Sequence, residues 1–415
     1  MKNNFPKREL KHVPIENLDE LTERRSLVDI KKQKFIVRAG RGLIRNKISF
    51  LLIALILLIL TYFSFYEFDD NPYTYKVTEH AIMIQNKSGK NLWNIQGYLD
   101  IEWAGFNLST MQRIKIVDFN SDGKSEILFC FDSNNPVYSN ENSPYGLVIL
   151  DYKGKEISRM TFTKFLTSKR EDLSPPFNIL MLDKLFFNNE LYFLCASYNQ
   201  NSYPSALFLL NVKRNKVVGD TLWNHGFVSD ARIVDFDNNG EKEVIFFASN
   251  NAMNKSSLVH IALKNLTGQI PSNDDYKLFG IKGAKILHYF LLPNTDYNQF
   301  FGYRNPGIFY PLRIENYEVK FVTSKSGNKL HNTADIIYCW KYKQNEFSIF
   351  MSNEIRVARD TLVARGKLNP PYTDTREYRG FLHNQIQAWD GEKFIPFTEY
   401  KKLIGKEQQT NLVNN

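Results

Sequence analysis

The chain has 415 residues, of which 43 % are hydrophobic and 14 % aromatic, a composition that allows a sizeable core and excludes a collagenous or wholly disordered protein. Its formal net charge of +9 is concentrated in residues 1–47, where 13 Lys and Arg face 6 Asp and Glu. The remaining 368 residues therefore carry only +2, which argues against a nucleic-acid partner.

In chain order, residues 1–47 read as a basic cytoplasmic tail. Lys31, Lys32, Lys34, Arg38, Arg41, Arg45 and Lys47 suit the anionic face of a membrane, and residues 17–40 could form an amphipathic helix lying on lipid headgroups. Residues 48–66 contain no charge, and 19 residues in a helix rise about 28 Å, close to the thickness of a hydrocarbon layer. Arg41, Arg45 and Lys47 precede this run, whereas Glu67, Asp69 and Asp70 follow it. The positive-inside rule then keeps the N-terminus in the cytoplasm and exports everything beyond the segment. The outer end carries Tyr62, Phe63, Phe65 and Tyr66 and lacks small residues, so an uncleaved signal anchor is expected rather than a cleaved leader.

After a linker at 67–75, residues 76–400 read as one exported, mainly β domain, followed by a C-terminal tail at 401–415. Segments 115–129 and 232–246 are identical at seven of fifteen positions and lie 117 residues apart, a spacing that suits two units with one between them. The intermediate unit is expected at 179–194, with later echoes at 285–301 and 334–350. Hairpins are expected at 81–93, 146–157, 206–217 and 385–394, where short apolar runs flank Gly, Asn or Asp. Stacked four-stranded blades explain such units, because each small sheet has two apolar faces that only its neighbours can cover. The fold predicted is a β-propeller of about six blades, within a range of five to seven, following one transmembrane α-helix. Its first and last hairpins are expected to meet and close the ring, with a β-sandwich as the structural rival.

Two loops carry the chemistry. Asp118, Asn120 and Asp122 stand at positions 1, 3 and 5, Gly123 follows, and Glu126 stands at position 9; Asp235, Asp237, Asn239, Gly240 and Glu243 repeat the arrangement. Alternate spacing brings these oxygens towards one centre, the glycine permits the bend, and the backbone carbonyl of Lys124 or Glu241 can add a ligand, a set that suits Ca2+. An EF-hand is excluded, because strand-like runs flank the loops and the last acid comes at position 9 rather than 12.

Both loops match the pattern D-x-[DN]-x-[DN]-G-x-x-[DE] and so resemble the calcium loops of FG-GAP and VCBS repeats, the integrin α-type propeller family. The resemblance implies a propeller whose calcium ions brace its blades. The segment at 88–93 also looks like one copy of the tryptophan-docking motif of quinoprotein propellers, but five tryptophans are too few for a docking array.

Cys130, Cys195 and Cys339 lie in apolar runs and are expected as buried thiols. The histidines are scattered, no phosphate-binding loop is present, and Arg359, Arg365, Arg376 and Arg379 read as a solvated rim. The sequence therefore favours a non-enzymatic, membrane-anchored module in the cell envelope, periplasmic or extracellular, that binds or scaffolds a protein or glycan partner. The alternative is an exported carbohydrate or lipid hydrolase or lyase with its site in the funnel.

Overall fold

The computed structural model describes residues 37, 47–65, 68–78, 81–96, 112–133, 137–139, 144–170, 172–175, 177–199, 204–302, 312–324 and 335–413. The expected amphipathic stretch at 17–40 lies outside them, apart from residue 37, as do Tyr66 and Glu67. The chain divides into two compact units, Met1–Asp69 and Asp70–Asn415.

In the first unit, Lys47–Phe65 is a continuous α-helix of 19 residues. Its described side chains, at residue 48 and over 51–63, are exposed, with Ile48 74 % and Leu58 67 % accessible. The 51–63 stretch rises about 20 Å, and no helix among the described residues is long and apolar enough to cross a membrane.

The second unit is a stack of antiparallel sheets. The first comprises Thr74–Val77, Ala81–Gln85 and Asn91–Gln96. The second is the meander Ile114–Val117, Glu126–Phe131, Gly146–Leu150 and Glu156–Met160. The third runs Asn178–Phe187, Glu190–Tyr198, Ser205–Asn211 and Lys216–Asn224, and Gly268–Gln269 pairs parallel to its last strand. The fourth contains Val228–Val234, Glu243–Asn250, Lys255–Ala262 and His288–Leu291. The fifth is Arg313–Glu315, Glu318–Ser324, Asp335–Lys341 and Glu346–Met351.

Each pair of consecutive sheets encloses its own apolar layer. Ile84 and Ile95 pack with Ile127 and Phe129, and Leu147 with Phe193 and Phe208. Further along, Leu194 and Leu207 pack with Val244 and Phe246, and Ile245 and Phe290 with Phe321 and Trp340. A sheet with two apolar faces can be satisfied only in this way. The first strands also converge. Gln112 donates from the second sheet to the Ser229 carbonyl of the fourth at 3.1 Å, and Asp183 of the third accepts from Ile233 N at 2.7 Å. Asp230 accepts from Leu312 N, at the start of the fifth sheet, at 2.8 Å. Sheets stacked side by side, with the first strands of the second, third and fourth brought together, are a propeller-type arrangement, and five stacked sheets are present among the described residues.

Ring closure does not follow the sequence-based expectation. The last hairpin, Gln387–Trp389 with Phe394–Pro396, pairs through Ala388 with Phe290 and extends the fourth sheet instead of meeting the first. Packing explains the choice, since Ala388 and Ile395 enter the apolar layer between the fourth and fifth sheets. The echo at 285–301 also differs, because its second half is the helix Asp296–Phe300, capped by Thr295. Beyond the fifth sheet the chain turns helical, as Asn353–Ala364, Arg376–Asn384 and Phe397–Val413. The last of these occupies most of the stretch expected as a tail.

The intermediate repeat is confirmed as the third sheet's first hairpin, where Asn188 and Asn189 adopt φ of 49° and 58° in a two-residue turn. The three cysteines are buried and free; burial pushes the Cys130 thiol up to about 12. Arg359 departs from the solvated rim expected for it. It is 1 % exposed, forms a bidentate pair with Asp296, and lies 3.7 Å from the Tyr378 ring centre, tying two helices to the helix Asp296–Phe300.

Candidate metal centre

The two acidic loops occupy equivalent places, joining the first and second strands of the second and fourth sheets. Both bend through the same two left-handed residues, Ser121 (φ 63°) and Gly123 (85°) in one, Asn238 (60°) and Gly240 (86°) in the other. The aspartate at position 1 organises each loop by accepting backbone amides. Asp118 takes Ser121 N at 2.7 Å and Gly123 N at 2.9 Å, and Asp235 takes Gly240 N at 3.1 Å. The glutamate at position 9 closes the circle, Glu126 accepting Phe119 N at 3.2 Å and Glu243 accepting Phe236 N at 2.6 Å.

In the second loop, one carboxylate oxygen from each of Asp235, Asp237 and Glu243 lies within 4.8 Å of the others, the one such acidic set among the described residues. Asp235 Oδ1 is buried and has no hydrogen-bond partner. Burial raises the Glu243 pKa first, and the charges of Asp237, Asp235 and Glu241 raise it further. An orphaned oxygen beside crowded, mutually repelling carboxylates is relieved by a divalent cation, and hard oxygen donors fit Ca2+. Asn239 donates its amide to Asp237 at 2.8 Å, and its carbonyl oxygen accepts Glu241 N at 2.7 Å. The Glu241 side chain points to Lys264, at 2.5 Å, so the ligand this residue could offer is its backbone carbonyl.

The first loop is arranged differently. Asn120 Nδ2 lies between Asp122 Oδ2 (3.0 Å) and Glu126 Oε1 (2.9 Å), so an amide links the acids that a cation would bridge. Burial raises the Glu126 pKa, with smaller contributions from Asp122 and Asp118. Lys124 pairs with Asp70, and Asn71 accepts Ser125 N at 2.7 Å while donating to the Gly123 carbonyl at 3.3 Å. These contacts, like the hydrogen bond from Asn238 to the Tyr317 hydroxyl, had no motif to announce them.

Elsewhere, the acids on the convergent first strands are tied up by their neighbours. Asp183 accepts Lys184 N and Ile233 N, and Asp230 accepts Ala231 N, Leu312 N and the Arg232 guanidinium at 2.6 Å. His225 and His260 are buried; His225 Nε2 lies 2.9 Å from the Ile270 carbonyl while its Nδ1 has no partner, and neither ring nitrogen of His260 has one. Trp93 docks on the next sheet, donating to Tyr152 O at 2.9 Å with its ring against Gly154, where an added Cβ would come within 3.0 Å of the indole.

No protein-family model and no curated protein matches the chain, so the FG-GAP and VCBS likeness rests on the two loops themselves. Among solved structures, the chain is similar to one described as the Dos1 propeller, at 10 % identity and a TM-score of 0.34, over 68 % of this chain and 60 % of that one. It is likewise similar to the C-terminal domain of PilY1 from Pseudomonas aeruginosa, at 10 % identity and a TM-score of 0.34, over 66 % of this chain and 57 % of that one. The chain thus spans about three fifths of each.

Proposed function

We propose that the chain is a membrane-anchored, calcium-binding, propeller-type module held outside the cytoplasm, where it binds or scaffolds a protein or glycan partner. The observation that carries this reading is the convergence of Asp235, Asp237 and Glu243 around a buried oxygen that lacks a partner, on a loop whose backbone is already formed. Calcium there braces the first hairpin of the fourth sheet, and at the concentrations typical outside cells such a site is filled.

The anchor is the helix Lys47–Phe65, whose described side chains at 48 and 51–63 are exposed and whose basic flank is on the N-terminal side. Binding is favoured over catalysis because Asp183 and Asp230, on the convergent strands, are held by backbone amides and Arg232, which leaves no free acid and base pair there among the described residues. Topology is tested with a C-terminal tag on the full chain expressed in cells. Protease added after the outer barrier is permeabilised should remove the tag, and full protection of the tag would reject the exported reading.

A further inference from the structure

An open cavity of about 870 Å3 lies against the last strand of the third sheet, within the size range of small-ligand sites. Its floor is preformed. Gln269, 4 % exposed, donates to the carbonyls of Leu278 (2.9 Å) and Ile281 (2.6 Å) and accepts Leu278 N (2.9 Å), while Phe279 N donates to Thr167 O at 2.9 Å. The backbone amides of residues 280–283, which line the cavity, have no hydrogen-bond acceptor among the described residues.

The charge of the lining is one-sided. Asp220 pairs with Lys164 at 3.4 Å and accepts from Thr267 Oγ1 at 2.7 Å within the wall, whereas Lys282 and Lys285 have no carboxylate partner among the described residues. Two phenyl rings stand in solvent at the rim, Phe165 at 61 % and Phe279 at 55 % exposure. Gly268–Gln269 pairs with Leu222 and Trp223, so beside the cavity floor that part of the edge is closed to an added peptide strand. A ligand is needed that presents anionic groups to ammonium and free amide donors, hydroxyls to Thr221 and Asp220, and apolar ring faces to phenyl groups.

We propose that this cavity binds an acidic oligosaccharide, its carboxylates on Lys282 and Lys285 and its ring faces on Phe165 and Phe279. The assignment rests on the reading of the exported part as a binding module and names its ligand class.

The test is calorimetric titration of the full chain in detergent with a hyaluronan tetrasaccharide, using neutral chitotetraose as control. The acidic sugar should bind, more weakly as salt rises, and the neutral one should not. Lys282→Gln with Lys285→Gln should weaken binding by about tenfold or more, the scale of one lost charge-assisted contact. Gly283→Tyr should block the cavity without disturbing the fold, since an added Cβ meets nothing within 4 Å. Absence of binding by the acidic sugar, equal binding of the neutral one, or unchanged affinity in Gly283→Tyr would overturn the proposal. Calcium uptake by the second loop and export of the C-terminus are read separately, so the binding-module reading survives that outcome or falls on its own evidence.

Discussion

The two acidic loops share a pattern, a backbone path and a place in their sheets, yet they reach different electrostatic states. In the first, asparagine stands at position 3 and its amide links Asp122 to Glu126. In the second, asparagine stands at position 5 and donates only to Asp237, leaving Asp235 Oδ1 buried and unpaired. The shared residues, an amide-gathering aspartate, a glycine and a closing glutamate, build the loop, whereas one exchange of Asp and Asn decides whether its centre is satisfied from within. The difference extends to the surrounding layers. Between the first and second sheets Ile84, Ile95, Ile127 and Phe129 form an apolar layer, whereas around the fourth and fifth the buried residues include Arg359 and His260, with the half-buried His288 ring stacked on His260.

The largest way to break the symmetry is to remove the buried cation on the second-loop side. Arg359→Ala strands the Asp296 carboxylate and the carbonyls of Asn369 and Pro371, and it should cost about 3 to 5 kcal/mol in chemical denaturation. Equal protection of both halves in hydrogen exchange of that variant would refute the regional difference.

Acid should act next. Burial lowers the His288 pKa to about 4 and that of His260 to about 3, where the charge of His288 lowers it further; the rings stack 5.5 Å apart. Below the ordinary histidine value of about 6.5 the unfolded chain binds protons that the folded chain refuses, so stability falls as pH drops. The loss runs from about 6.5 to about 4 and amounts to about 3 kcal/mol for His288. Hydrogen exchange should show the fourth and fifth sheets opening before the second, and His260→Phe should reduce that pH dependence.

Calcium should separate the loops more finely. At a hundredfold excess over its dissociation constant the ion adds about 2.7 kcal/mol, read as a rise in the thermal midpoint. Asp235→Asn should remove most of that rise and Asp118→Asn less, since only the second loop holds three converging carboxylate oxygens among the described residues. The opposite order would reverse the comparison.

Most of the blade architecture was legible because each hairpin carries both signals it needs, apolar strands and turn residues with positive φ, as at Asn188, Asn189 and Asn215. Both acidic loops were legible for the same reason. The C-terminal third was not. The helix Asn353–Ala364 has a Ser352 cap and buries Ile355 and Arg359 four residues apart, but a charged residue on the inner face hides the apolar stripe. In Arg376–Asn384 the Thr375 cap and the buried pair Tyr378 and Leu382 are present, yet four charged or histidine side chains surround them. The partner of the last hairpin was equally hidden, because its two three-residue strands carry too little pattern to choose between the first sheet and the fourth.

The smallest expected effect bears on the first loop alone. Its position-7 residue, Lys124, pairs with Asp70, and Asn71 holds the neighbouring Ser125 and Gly123, so the loop is clasped by the residues that lead into the first sheet. The pair is exposed, with side chains 39 % and 54 % accessible, and Lys124→Ala should therefore cost only about 0.2 to 1 kcal/mol, less at high salt. Its informative readout is local. Amide exchange at residues 70–71 and 123–125 should quicken while the second loop is unchanged, because Lys264 and Tyr317 clasp that loop instead. If Lys124→Ala leaves exchange at 70–71 untouched, Asn71 alone holds the clasp, and Asn71→Ala should then produce the effect.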